Sequence, residues 1–500
     1  MTALNFIIVG GSVAGLAAAI ALKDAGHNVV VLEKDVRLGG AGQGINGCAR
    51  IPPNGTKILN DWGLAGAAAG QTSTIGGWSV YKYNRPEGSE EPDKLGVQRS
   101  WPELLQEARG EYMMFRHESF LQLLYDKLAP IPSPIPRIPV EFAGPETAKS
   151  NDNKGIATVH LNACVASIDC AASSVTLQSG EVLIGDAILG ADGRNGVVRR
   201  ALMREEGLEG GETSIGLAFC SALIPKERVF EHGLGEIFYD DVGMSLWLGH
   251  GRAALTCQAG GDHDLMLAIY TPDTQHELAS IDSAWKQPPS VRLVDVIGVC
   301  DPIIHKLASL AGPASCVQIK TPPRLDSWVS RSGRVLAIGE AAHPPPTGGT
   351  HLHTAALEDG LFIGKIFSHT RDPARIPEFQ KAFQEAREPR CTQIIQQDHE
   401  TIAMLTLPDG DIQKMLDAAL RANTAAGRNA MEGEDLHKIK EDFIIANGYD
   451  ADDDADEWWI NWGRLKDAAD VVREKEPQYS DEEEMARTPR QHVRAPMGYQ

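Results

Sequence analysis

Residues 5–34, "NFIIVGGSVAGLAAAIALKDAGHNVVVLEK", decide the architecture of this 500-residue chain. "FIIVG" is a short apolar run of strand length, "GSVAG" a turn, "LAAAIALKDAG" an alanine-rich helix closed by Gly26, and "NVVVLEK" a second buried strand. This order predicts a βαβ unit that receives a dinucleotide. Gly10 allows the tight turn, Gly15 lets helix and strand pack closely, and the helix N-terminus offers N–H groups to a pyrophosphate. Glu33, at the tip of the second strand, is placed to accept from ribose hydroxyls. The middle glycine of the usual pattern is Ser12, preceded by Gly11, so the turn alone separates neither NAD from FAD nor a ligand site from a glycine-containing βα turn.

Outward from this unit, residues 38–59 form a glycine-rich loop that runs into "CARIPPNGTKIL". A helix is expected over 111–128, entered through "FRHESF", and "PIPSPIPRIP" at 130–139 is too rich in proline for anything but a surface excursion. Residues 156–190 alternate as a β-meander and end at "GADGRNGVVR" (190–199), while 213–270 alternate as a half-solvated antiparallel sheet. "RVLAIGE" at 334–340 is a buried strand and 352–368 a helix. Helical patterns continue over 374–425 and 433–475, before an acidic and proline-containing tail.

A chain with 42% hydrophobic and 23% charged residues has ample material for two or three domains. Its net charge of -21 argues against a nucleic-acid partner, which requires a basic face. The eight cysteines are scattered without Cys-x-x-Cys spacing, so neither a disulfide framework nor a structural metal is expected. The first apolar run is too short for a signal segment and no stretch approaches about 18 uncharged apolar residues, so the expected setting is cytoplasmic, with no membrane span.

Three motifs in order, "GGSVAG" with Glu33, "GADGRNGVVR" and "GEAAHP" (339–344), resemble the single-component FAD-dependent monooxygenases typified by salicylate hydroxylase and p-hydroxybenzoate hydroxylase. The likeness covers roughly residues 5–405, and "FQKAFQEAREPRCTQIIQQ" with "YDADDDADEWW" resembles the fungal salicylate-hydroxylase-like branch. It implies an α/β fold in which a Rossmann-like FAD-binding domain (1–75, 101–205 and 320–405) interleaves with an antiparallel-sheet substrate domain (76–100 and 206–319). A helical C-terminal region (406–475) and a tail (476–500) follow. It further implies bound FAD, transient NAD(P)H, O2 and a small molecule hydroxylated or epoxidised through a C4a-hydroperoxyflavin in secondary metabolism. Mapped residue by residue, Gly10, Ser12, Gly15 and Glu33 hold the adenosine diphosphate half, Gly47 and Arg116 lie along the flavin, and Arg50 faces its substrate side. Asp192 accepts hydrogen bonds in the cofactor region, and Glu340 stands for the aspartate of the family's Gly-Asp motif.

The departures concentrate at the flavin-contact turn, "GEAAHPPPTGGTHLHTAALEDG" (339–360), where the family's "QGA" becomes His351-Leu352-His353. Leu352 brings a Cβ to backbone expected to approach the flavin closely. His351 and His353, two apart, point about 200° from one another on a helix and cannot share a metal, so no metal site is expected. The expectation instead is that the helix beginning near Thr350 aims its positive end at the flavin. His351, as a proton-handling residue, or His353, as a cofactor contact, would tune it. Ser221, His250 and Cys257 also depart from the family pattern, so the substrate does not transfer. The alternative is a non-oxidative cyclisation or rearrangement on the same fold, with FAD structural or lost.

Overall fold

Two parallel neighbours flank the first strand, each with a further parallel strand outside it. In the computed structural model, Val335–Ala337, Ala187–Gly190, Asn5–Val9, Asn28–Leu32 and Ala157–His160 form one parallel sheet in that order. The structure describes residues 2–39, 47–132, 155–240, 242–261, 264–273, 290–433 and 436–465. By internal contacts the chain divides into Met1–Ala455 and Asp456–Gln500. Of the second unit, the described residues comprise the end of helix Ala451–Trp458 and a π turn, Trp459–Gly463. The 40–46 part of the glycine-rich loop, most of the proline-rich stretch at 133–139, and 466–500 with the expected tail lie outside the described residues.

Four of its five strands are almost uninterrupted apolar runs, as expected of a buried parallel sheet, while the edge strand Ala157–His160 carries Thr158 and His160. Helix Val13–Asp24 lies against helix Leu352–Phe367, and small residues set their separation. A Cβ on Gly360 or Gly364 would run into the Ala17 or Ala21 backbone. Both pairs are four residues apart, one turn on each helix, so the two ridges interlock. Gly364→Leu is therefore expected to force the helices apart at a cost of about 1–3 kcal/mol, measured by urea unfolding. An unchanged midpoint would remove this account of the contact.

The second layer is a seven-stranded sheet in the order Ser315–Thr321, Thr213–Pro225, Asp264–Pro272, Arg252–Ala259, Met244–Gly249, Gly77–Lys82, Lys94–Arg99. It differs from the expected half-solvated antiparallel sheet in two ways. Met244–Gly249 pairs with Gly77–Lys82 in parallel, and Asp264–Pro272 is buried along nearly its whole length because apolar clusters lie on both of its faces. Cys220 and Cys316 face each other across neighbouring strands with Cα atoms 4.0 Å apart and form a disulfide that their sequence spacing of 96 did not signal.

Two other boundaries move. Only Val165–Asp169, Ser174–Leu177 and Val182–Ile184 form the meander, since the flanking apolar strands, Ala157–His160 and Ala187–Gly190, are captured by the parallel sheet. The segment expected as helix 111–128 begins as strand Met113–Arg116, which pairs with Cys48–Ile51 and Thr72–Thr74, and turns helical at His117–Leu128. The C-terminal helical pattern resolves into Ile376–Leu405, Asp411–Ala425, Leu436–Asn447 and Ala451–Trp458. No helix among the described residues is long and apolar enough to cross a membrane.

Candidate active site

At the start of helix Val13–Asp24, Gly10 holds φ +108° and its N–H donates to the Leu32 carbonyl at 2.8 Å. Ser12 is the N-cap: its Oγ accepts from the Gly15 N–H at 3.3 Å and donates to the Ala191 carbonyl at 2.9 Å. A Cβ on Gly15 would collide with the Gly10 carbonyl, so the close packing expected of this glycine is a steric necessity. The Glu33 carboxylate turns back onto the Gly11 N–H at 2.7 Å and the Asp35 N–H at 2.9 Å, and burial raises its pKa. In this structure Glu33 thus closes the turn.

Beside this turn, the loop after Ala187–Gly190 carries Asp192, whose Oδ2 accepts from the Val198 N–H at 3.1 Å. Its Oδ1 is buried with no partner among the described residues, and burial pushes the carboxyl up to about 6. Glu340, on the turn Gly339–Ala341, pairs with Arg194 at 3.3 Å, and Arg194 also donates to the Pro345 carbonyl at 2.6 Å.

Arg50 extends from strand Cys48–Ile51 to the carbonyls of Gly348 and Gly349, the latter at 2.7 Å. The Tyr270 hydroxyl donates to Gly348 as well, at 2.7 Å. Arg50 and Tyr270 thus hold the Gly348–Gly349 segment between the small sheet and the seven-stranded sheet. Arg116 pairs with Asp264 through a guanidinium that stays partly exposed.

The two histidines separate. His351 is the N-cap residue of helix Leu352–Phe367, buried, with Nδ1 2.9 Å from Asp398 on helix Ile376–Leu405. His353 faces the other way, its Nε2 3.2 Å from Nδ1 of His117, whose N–H donates to the Gly47 carbonyl at 3.0 Å. Burial lowers both members of that pair: His117 to about 4, and His353 well below the usual histidine value, helped by His117 and Arg50. Both are therefore neutral near pH 7, and one imidazole donates to the other.

Behind the turn lies a buried charge cluster. His343 Nε2 sits 2.6 Å from Asp359 Oδ2, Arg387 bridges Asp359 at 2.9 Å and Glu358 at 2.7 Å, and Arg390 reaches Glu358 at 3.3 Å. His343, Asp359 and Cys391 group closely enough for a metal ion to be considered. Against a metal, Asp359 already accepts from Gly339 N–H, His343 and Arg387, and a buried guanidinium stands beside the thiol at 3.7 Å.

Asp398, His117, Tyr270, Arg194 and Arg387 escaped the sequence reading. Arg194 and His117 lie inside quoted stretches, but their partners lie in other stretches; Asp398 is 47 residues from His351, and only the packing of two helices joins them.

The features that FAD requires are present. The N–H groups at the start of Val13–Asp24 have no intrahelical acceptor. Asp192 Oδ1, Thr347 Oγ1 and Thr354 Oγ1 are buried polar atoms without partners among the described residues.

Comparison with known proteins agrees with this picture. The sequence model of the NAD(P)-binding Rossmann-like domain matches residues 8–52. The FAD-dependent monooxygenase OpS4 of Beauveria bassiana (strain ARSEF 2860) is 24% identical over 417 residues, covering 83% of this chain and 89% of its own. In fold, the chain is similar to CtdE in complex with FAD and a substrate. The TM-score is 0.67 at 16% identity, over 93% of this chain and all of that one. It is also similar to a salicylate hydroxylase substrate complex, with TM-score 0.64 at 16% identity over 91% and 97%. In sequence and in fold the chain is similar to FAD-dependent monooxygenases of the aromatic-hydroxylase type. It is accordingly an oxidoreductase with a Rossmann-like FAD-binding fold, an antiparallel-rich second sheet and a helical C-terminal region.

Proposed function

We propose that this chain hydroxylates or epoxidises an electron-rich small molecule, of aromatic, indole, polyketide or terpenoid type, with NAD(P)H as reductant and O2 as oxidant, in secondary metabolism. The observation that carries the proposal is the convergence of three things: the glycine cradle at Gly10–Gly15, the unpartnered Asp192 Oδ1, and the N-terminus of helix Leu352–Phe367. Bound and reduced FAD would supply the activated oxygen.

The chain's own residues bind, orient and exclude water. Gly10 and Gly15 let the turn close tightly, so that Ser12 and the start of helix Val13–Asp24 face the diphosphate, and Glu33 and Asp192 accept from cofactor hydroxyls. Glu340, held by Arg194, and the Gly47 backbone flank the ring region. The neutral His117–His353 pair closes one side without adding charge, so the local positive field comes from the helix dipole and from Arg50. Arg50 holds the turn in place; Arg116, committed to Asp264, has no part in this account. In this scheme residues 1–75, 101–205 and 320–405 serve the cofactor, and 76–100 with 206–319 serve the substrate.

Purified protein is expected to be yellow, with a flavin spectrum that NADPH or NADH bleaches anaerobically, faster when substrate is present. A colourless but active protein, or a bound flavin that neither nicotinamide reduces, would overturn the proposal in favour of a non-oxidative reaction.

A further inference from the structure

His351 caps a 16-residue helix without using its side chain as a cap. The imidazole is instead directed at Asp398, and the arrangement around that carboxylate is specific. Asp398, buried at 2% exposure, accepts from the Thr350 N–H at 2.9 Å, the His351 N–H at 3.2 Å and His351 Nδ1 at 2.9 Å. Burial pushes the Asp398 carboxyl upward, but the His351 hydrogen bond and the two backbone N–H groups prevail and hold it below the usual range. An ionised carboxylate can only accept, so Nδ1 must carry a hydrogen. That fixes the tautomer: in neutral His351, Nε2 is the lone-pair nitrogen. The close approach depends on Gly349, where a Cβ would collide with the Asp398 carboxylate.

Among the described residues Nε2 has no hydrogen-bond partner. His351 lines a cavity of about 10 Å³ with Glu340, His343, Pro345, Leu352 and Ala355, enough for one hydroxyl or water. Leu352 and Ala355 of the first turn of helix Leu352–Phe367 border the same cavity, as does Asp398, and the partial positive charge of a helix N-terminus favours an anion. A lone-pair nitrogen and a helix N-terminus together suit removal of a proton and stabilisation of the oxyanion left behind.

We propose that Asp398 and His351 form a proton-handling dyad, in which Asp398 positions the ring and His351 Nε2 takes the proton of a hydroxyl or water in this cavity. The O–H bond breaks, its electron pair stays on oxygen, and the proton forms an N–H bond on Nε2. The resulting imidazolium is paired with Asp398 and returns its proton to solvent. Asp398 is a positioning residue. The identity of the proton donor rests on the proposed monooxygenase function; the dyad's geometry does not. Charged and titratable groups near the ring are Asp398 on the long helix, Glu340 and His343 on the preceding turn, and Arg50 and Tyr270 through the Gly348–Gly349 carbonyls.

The test uses the full chain carrying its flavin, with His351→Gln, Asp398→Asn and Asp398→Glu variants. In ¹⁵N-histidine NMR spectra, wild-type His351 is expected as the Nδ1–H tautomer, and Asp398→Asn is expected to disturb that assignment. Turnover in His351→Gln and Asp398→Asn should fall on the order of 10²–10⁴-fold in kcat, with KM and the flavin spectrum little changed. The acid limb of the pH profile should be lost in His351→Gln, and Asp398→Glu should recover part of the rate. Wild-type kcat and pH profile in both variants, or an Nε2–H tautomer in the wild type, would overturn the dyad. A chain that binds no flavin would overturn the proposed function instead, while the tautomer signal still decides the dyad.

Discussion

Replacing Arg387 with Met is expected to destabilise the chain by about 3–5 kcal/mol, because it removes the partner of two buried carboxylates while leaving both in place. Arg387 is fully buried. It bonds Asp359 through Nε and Glu358 through Nη2, and its guanidinium lies 5.2 Å from the Tyr449 ring. Glu358 retains Arg390, and Asp359 retains His343, but neither carboxylate keeps the planar fork that ties the pair together. Arg387→Lys restores charge without the fork, so an intermediate loss is expected. Urea unfolding measures both variants, and a loss below about 1 kcal/mol for Arg387→Met would sink this assignment.

The same cluster sets a pH dependence whose sign follows from its members. Burial opposes ionisation of Glu358 and Asp359, yet the arginines and His343 prevail and lower both pKa values. That stability is present above the ordinary carboxyl range and is lost as pH falls through the lowered values. For His343, burial opposes the charge, but Asp359 and then Cys391 raise it to about 10 from 6.5. Its contribution is full below 6.5 and disappears as pH rises through about 10. The unfolding midpoint should therefore decline on both sides of a weakly acidic plateau, and Arg387→Met should flatten the acid side, because it removes a charge that holds both buried carboxyls low.

How much of this was legible in the sequence depended on whether the determinant was local. The βαβ unit of residues 5–34 declares itself because its glycines, its apolar periodicity and Glu33 are all consequences of one short turn. The parallel strands Ala157–His160 and Ala187–Gly190 looked like parts of a meander because pairing, not composition, decides which sheet a four-residue apolar run joins. The site divides the same way. Gly10, Ser12, Gly15 and Asp192 could be placed from motifs, whereas the direction of Arg50 and Arg116 depends on carbonyls and carboxylates 148 to 299 residues away. His351 and His353 were visible as departures, but their opposite fates follow from Asp398 on one side of the helix and His117 on the other.

Gly10→Val is expected to leave the protein colourless, and to be the most damaging single change in the cradle. At φ +108° an L side chain is strained, and here the added Cβ would also meet the Ala191 carbonyl and the Asp192 N, all of it backbone. Strain and collision together cost on the order of 3 kcal/mol or more. Relief by moving the turn would pull Ser12 from Ala191 and tilt the helix N-terminus away from its ligand. Gly11 offers the contrast: a Cβ there would meet the side chains of Leu38 at 2.9 Å and Glu33 at 3.1 Å, which can shift. Gly11→Ala should therefore fold with a small loss and keep most of its flavin, since Gly11 stands at the variable position of the turn and its methyl group displaces only the Leu38 and Glu33 side chains. Flavin content from the visible spectrum, read beside urea unfolding of the same preparations, separates the two. If Gly10→Val retained stoichiometric flavin, the cradle would not be the cofactor's seat. If Gly11→Ala lost stability as severely as Gly10→Val, the distinction between backbone and side-chain collisions would be wrong.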